Sequence, residues 1–215
     1  VVALWALESL LQLLSCLHLY RDMNTTTSGT FMSINIFKIA CLLTQNNKSV
    51  TLTDELAIMH MTNSGWGPQG PARDRFFAFD KENGECVWVS TPGGPPKDIS
   101  FSMPVIDWRN NRQVTYAGLA GGHMTCVDAR TGEALWRFPM CTGGMSSSAV
   151  VYKDTLIAIH GKENLDTSTA GRMIAIKLGA EPKPGQKQLV IGKEHGVWRN
   201  ELTAFTSSPE LVNNR

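Results

Sequence analysis

From about position 46 the chain is a succession of short apolar runs separated by clusters of Gly, Asp, Asn and Pro. In its middle the runs fall near Ile99–Ile106, Gln113–Leu119, His123–Asp128 and Glu133–Phe138. Runs of this length between turn signals predict strands, and four in succession predict an antiparallel meander. Before position 46 the pattern is different. Val1–Tyr20 is mostly leucine and other apolar residues, with Leu4, Leu7, Leu11 and Leu14 on one helical stripe and Glu8, Gln12 and Ser15 on another. That spacing predicts an amphipathic helix. Residues 22–47 have no counterpart elsewhere in the chain, with a polar loop from Asn24 and a partly alternating run at Ser33–Ile39. The expected division is therefore an unassigned segment, 1–45, and a repeat region, 46–215.

The repeats fix the predicted architecture. Phe77-Ala78-Phe79-Asp80 with Gly84-Glu85 and Trp88 returns as Thr125-Cys126-Val127-Asp128 with Gly132-Glu133 and Trp136. Asp, Gly and Trp each recur at a spacing of 48 residues. A reduced third copy follows at Ile174-Ala175-Ile176-Lys177. A second element repeats independently: Val50 through His60 parallels Val150 through His160, about two periods later, and Ser208–Asn213 resembles the same strand opening a fourth unit. Four-stranded repeats of about 40–50 residues are propeller blades. The predicted fold is all-β, a β-propeller of four-stranded antiparallel blades, with about three blades present and a helix before them.

The conserved spacing has a physical reading. An Asp at the start of a tight turn accepts hydrogen bonds from its own turn's amides, and the Gly supplies positive φ without steric cost. A Trp offers a large flat face and one N–H donor, which suits a seam between blades. Asp80, Gly84, Trp88, Asp128, Gly132 and Trp136 are thus expected to be structural. The two motifs resemble the tryptophan-docking motif of the pyrroloquinoline-quinone (PQQ) repeat, quinoprotein alcohol dehydrogenase-like propellers. The family has Ala at the first place and Thr before Gly, where this chain has Cys126 and Asn83. The resemblance covers roughly residues 49–215. It implies a ring of seven or eight blades belted by Trp88 and Trp136, and it implies no particular chemistry. The same repeats occur in quinone-dependent dehydrogenases and in non-catalytic scaffolds such as the outer-membrane-protein assembly lipoprotein.

Composition narrows the functional classes. Lys and Arg number 20 against 19 Asp and Glu, for a net charge of +1, and no basic tract stands out. Nucleic acid is excluded as the expected partner. The five cysteines, Cys16, Cys41, Cys86, Cys126 and Cys141, lie far apart with no C-x-x-C pair, which argues against a metal knuckle or a disulfide framework. Cys86 and Cys126 sit within strand-like runs and are expected to act as small apolar residues. In the N-terminal segment Glu8 is costly for a spanning helix. The run Leu13-Leu14-Ser15-Cys16 loosely resembles a lipoprotein cleavage site, with Leu14 a departure from it. Membrane association is expected only if this segment is an anchor.

Strands in a meander alternate in direction, so the second-to-third loop and the blade-to-blade loop leave one face. The long loops 63–74, 91–98, 139–146, 161–171 and 200–206 all fall there, and the tight Asp-x-x-x-Gly turns lie opposite. Long loops on a rigid scaffold are where binding usually resides. The ligand-binding candidates on that face are His60, Trp66, His160, Lys162, Glu163 and Arg172, with Lys97 beside them. His60 and His160 are expected at the same place in two blades, either as a pair of imidazoles aimed at one mouth or as strand-end histidines satisfied by backbone. Residues 160–164 form the most polar strand exit, read either as a binding loop or as a solvated one. Neither Gly121-Gly122 nor Gly143-Gly144 precedes a predicted helix, so neither is a phosphate loop.

The expected function is a non-catalytic module, outside the cytoplasm, that binds a protein, peptide or carbohydrate on its long-loop face without a cofactor. The alternative implied by the resemblance is a dehydrogenase using PQQ with calcium. That branch of the family carries a vicinal Cys-Cys pair and a calcium-binding acid and amide set, and no Cys-Cys pair occurs here.

Overall fold

The computed structural model describes residues 50–63 and 73–213. The N-terminal segment, Cys16, Cys41 and Trp66 lie outside the described residues. Among the described residues thirteen strands run in chain order: β1 (Val50–Leu52), β2 (Leu56–Asn63), β3 (Arg73–Asp80), β4 (Cys86–Ser90), β5 (Val105–Arg109), β6 (Arg112–Gly118), β7 (His123–Asp128), β8 (Ala134–Pro139), β9 (Val150–Tyr152), β10 (Thr155–His160), β11 (Arg172–Lys177), β12 (Leu189–Val190) and β13 (Gly196–Asn200). The one described helical element is a single 3-10 turn at Lys193–His195. Blade one is β1-β2-β3-β4, blade two is β5-β6-β7-β8, and blade three is β9-β10-β11-β13, each an antiparallel meander.

Three details depart from the sequence expectations. The first strand of blade two begins at Val105: residues 99–104 are unpaired in the sheet and are held instead by Ser100 and Ser102, whose hydroxyls bond Gly118 and Met145. The third-to-fourth-strand turn of blade three is not tight: it expands to residues 178–195 and sends β12 back to blade two. There β12 pairs in parallel with β8, Leu189 opposite Trp136 and Val190 opposite Arg137, so the middle sheet has five strands. Residues 208–213 form no strand.

The Asp-Gly turns fold as their chemistry dictates. Asp80 Oδ1 accepts from the amides of Glu82 and Asn83 at 2.8 and 3.1 Å, and Asp128 Oδ1 from those of Arg130 and Thr131 at 3.0 and 2.9 Å. Gly84 and Gly132 have φ of 73° and 76°, the left-handed region that glycine enters freely. Gly132 carries a second requirement. A Cβ there would lie 2.6 Å from the Trp88 ring, which packs flat against this turn from blade one and donates its Nε1–H to Ala129 O at 3.2 Å. Asp128→Ala, which removes the turn bonds and leaves that packing, is expected to cost about 1 kcal/mol in chemical denaturation of the intact protein.

Two apolar clusters fill the seams. Leu56, Ile58, Phe76, Ala78 and Trp88 of blade one meet Ala117, Leu119, Val127 and Ala129 of blade two. Tyr116, Met124, Cys126, Trp136 and Phe138 of blade two meet Leu156, Ala158, Ile174 and Ile176 of blade three. Cys126 is buried as expected of a small apolar residue, whereas Cys86 is exposed on the outer strand of blade one.

The register identifies a third tryptophan. Ala78 lies opposite Trp88, Cys126 opposite Trp136, and Ala175 opposite Trp198. Trp198 escapes a fixed 48-residue period because the 178–195 excursion displaces it. It is 43% exposed, on the face of blade three turned away from blade two.

Candidate functional site

The loops at the top of the three blades are bonded to one another into one platform. Ser100 Oγ lies 2.9 Å from Gly118 O and 2.5 Å from Met145 O. The amides of Lys97 and Asp98 donate to Ala120 O at 3.0 and 3.2 Å, and those of Met140 and Cys141 to Gly122 O at 2.9 and 3.1 Å. From blade two to blade three, Thr142 donates both its amide and its hydroxyl to Glu163 O, each at 2.8 Å. The Gly pairs are part of this packing: a Cβ on Gly122 would sit 2.1 Å from Cys141 O, and one on Gly144 2.0 Å from Ile99 O.

The structure separates the sequence candidates into three groups. His60 and His160 are 1% and 2% exposed, so neither presents an imidazole to a ligand at the mouth. Nor do they occupy the same place. Ile58 lies opposite Ala78 and Trp88, and Ile157 opposite Ala175 and Trp198, so blade three matches blade one at a spacing of 99 and the counterpart of His60 is Ile159. Alternation then puts His60 on the Trp88 face and His160 on the face opposite Trp198.

His60 is a clamp between blades. Its Nδ1 lies 3.1 Å from Ser102 O and its Nε2 2.5 Å from Asp74 Oδ1. Asp74 also accepts from Thr62 Oγ1 at 3.0 Å and from the Ala120 amide of blade two at 2.8 Å. Burial alone raises the Asp74 pKa. The bond and charge of His60, helped by Ala120 and Thr62, outweigh that and hold it below the ordinary carboxylate value. Nothing in the sequence spacing pointed to Asp74. His160 packs edge-on against Phe205, with ring centroids 5.8 Å apart, and burial pushes its pKa down.

Lys162 and Glu163 are exposed at the tip of the 161–171 loop. Asn164 is buried beneath them and closes that loop, its Nδ2 donating to Gly161 O at 3.3 Å and to Ala170 O at 2.6 Å. Arg172 leaves the loop on the other side and bonds Asp166, which also accepts from Arg199 at 2.9 Å. Arg172, Asp166 and Arg199 line a crevice of about 540 Å³ between blades two and three.

Among the described residues no group of three or more His, Cys, Asp and Glu side chains converges to hold a metal ion. Cys126 and Cys141 are buried, and burial pushes the Cys141 thiol up to about 12. Among the same residues no helix is long and apolar enough to cross a membrane.

No family model matches this chain, and no curated protein is similar to it. Among solved structures it is similar to BamB from Moraxella catarrhalis, with a TM-score of 0.50 and 15% sequence identity. The match covers 75% of this chain and 42% of that one, so the chain spans less than half the length of the structure it resembles. At such identity the likeness is one of fold. Together with the meander order and the two filled seams, it makes the described region a run of consecutive β-propeller blades whose sheets do not close into a ring.

Proposed function

We propose that this chain is part of a non-catalytic propeller, acting outside the cytoplasm, that binds a protein partner through its long-loop face. The observation that supports this reading is the platform itself. Loops from successive blades are tied to one another by backbone bonds and still leave Lys97, Lys162 and Glu163 exposed on one side. A rigid surface of this kind loses little conformational entropy on association, which favours binding of a preformed partner surface. The tight turns opposite spend their polar groups on their own amides. Buried His60 and His160 are not contact residues in this proposal.

The test is site-specific photocrosslinking in producing cells. A photoreactive residue at Lys162 or Glu163 is expected to give discrete protein adducts, and one at Lys81 or Arg130 none. Lys162, Glu163 and Arg130 are exposed, so each of those changes should move stability by about 0.5 kcal/mol or less, whereas Lys81 is half-buried and donates its Nζ to Thr53 O at 2.7 Å, so its replacement costs somewhat more. Adducts only from Lys81 and Arg130 would show that the binding face has been assigned to the wrong side. A bound-quinone spectrum on adding PQQ and calcium to the intact protein would favour the dehydrogenase instead.

A further inference from the structure

The crevice between blades two and three combines apolar walls with unbalanced positive charge. Phe138, Leu165 and Ile174 contribute the apolar surface, and Arg172, Lys193 and Arg199 the cations. Asp166 is the sole carboxylate in the lining, and both its oxygens are taken, Oδ1 by Arg172 and Oδ2 by Arg199. Lys193 makes no ion pair among the described residues. Glu194, outside the lining, is a second carboxylate beside Lys193; its Oε1 accepts from the Gly192 amide at 2.9 Å and lies 3.1 Å from His195 Nδ1, and the three cations still outnumber the two carboxylates. Within the lining three cations face one carboxylate, and two guanidiniums of five donors each retain N–H groups that Asp166 cannot satisfy.

The chain opens the crevice by a specific route. In blade one β4 follows β3 after a tight turn. In blade three residues 178–195 leave the sheet, lay β12 on β8, and return at Lys193–His195 before β13 begins. That return brings Lys193 over the seam beside Gly192 and Gly196. Pro139 and Arg172, at the upper ends of their strands, and Leu165 and Asp166 of the 161–171 loop join the crevice to the loop platform, and its lining continues down the seam to Gly196. Both walls belong to blades present in this chain.

We infer that this crevice receives an acidic peptide segment of a partner protein, with a carboxylate paired to Arg199 and Lys193 and a neighbouring aromatic or aliphatic side chain against Phe138, Leu165 and Ile174. The volume is within the range of sites that enclose several side-chain groups. A carbohydrate needs a balance of donors and acceptors. Here the side-chain polar groups are donors apart from one occupied carboxylate, and the remaining walls are apolar. Arginine offers the planar fork that matches a carboxylate. The assignment rests on the loop face being the binding face, and it names the chemistry of the partner there.

The probe is a fluorescein-labelled peptide alternating glutamate with phenylalanine, compared with the same peptide carrying glutamine for glutamate. Binding to the intact protein is followed by anisotropy. The acidic peptide is expected to bind about tenfold or more tightly than its neutral counterpart, and less tightly as salt is raised. Arg199→Glu and Lys193→Glu should each weaken it about tenfold with an unchanged melting midpoint, and Arg130→Glu on the opposite face should not, as expected of contacts local to one site. Equal binding of the two peptides, or indifference to both crevice substitutions, overturns the proposal. Displacement by submillimolar inorganic phosphate also overturns it, in favour of a simple anion site. If adducts at Lys162 persist when the crevice substitutions have no effect, the crevice assignment fails and the loop-face reading stands; loss of both removes both.

Discussion

Trp136→Ala is expected to destabilise the intact protein by about 3–5 kcal/mol, the range for truncating a buried aromatic. The ring is fully enclosed. Tyr116 lies with its ring centroid 5.7 Å away, and Leu189 of the inserted β12 covers the position from the edge of the sheet. Its neighbours come from blade two and, through the shared cluster, from blade three, so truncation empties a seam that the backbone cannot easily collapse. The measurement is urea unfolding alongside Asp128→Ala, which removes turn bonds and a partly exposed ion pair with Arg112 at 3.6 Å but no seam packing. Equal costs for the two substitutions would contradict the seam role of the ring. A substantially larger loss for Trp136→Ala is the outcome the packing requires.

Asp74→Ala is expected to be of similar size, about 3–5 kcal/mol, because it strands one partner of a buried pair. His60, Thr62 and the Ala120 amide would all lose their acceptor inside a seam that excludes water. The double substitution His60→Phe with Asp74→Leu should recover much of the loss, since it removes both partners of the buried hydrogen bond together. If it recovers nothing, the cost came from shape and not from the pair. The same site predicts a pH dependence. Asp74 has its folded pKa held below the unfolded value, so its contribution is fully present above about pH 4 and is lost as the pH falls through the lower, folded value. Asp74→Ala should flatten that acid limb, and a limb of unchanged steepness would refute the assignment.

The sequence by itself determined the blades. Asp80-to-Gly84 and Asp128-to-Gly132 are local devices, needing only their own amides and a positive φ, so their spacing survives in the chain and can be counted. It determined equally that Trp88 and Trp136 belong to seams, because a large ring with one donor at a fixed distance after such a turn has few other uses. Histidine register was not legible. Strands inside a blade are apolar on both faces, so sliding the match between Val50–His60 and Val150–His160 by one residue leaves the apolar pattern intact while reversing every side chain. Only strand pairing decided that His60 and His160 are not counterparts. Tertiary structure also decided what residues 178–195 do. A two-residue strand such as β12 carries no periodicity, and its parallel partner β8 lies some fifty residues earlier. For the same reason Trp198, Asp74 and the cationic crevice were invisible as sites: each is assembled from separate strands and loops whose approach is set by the packing of one blade on the next.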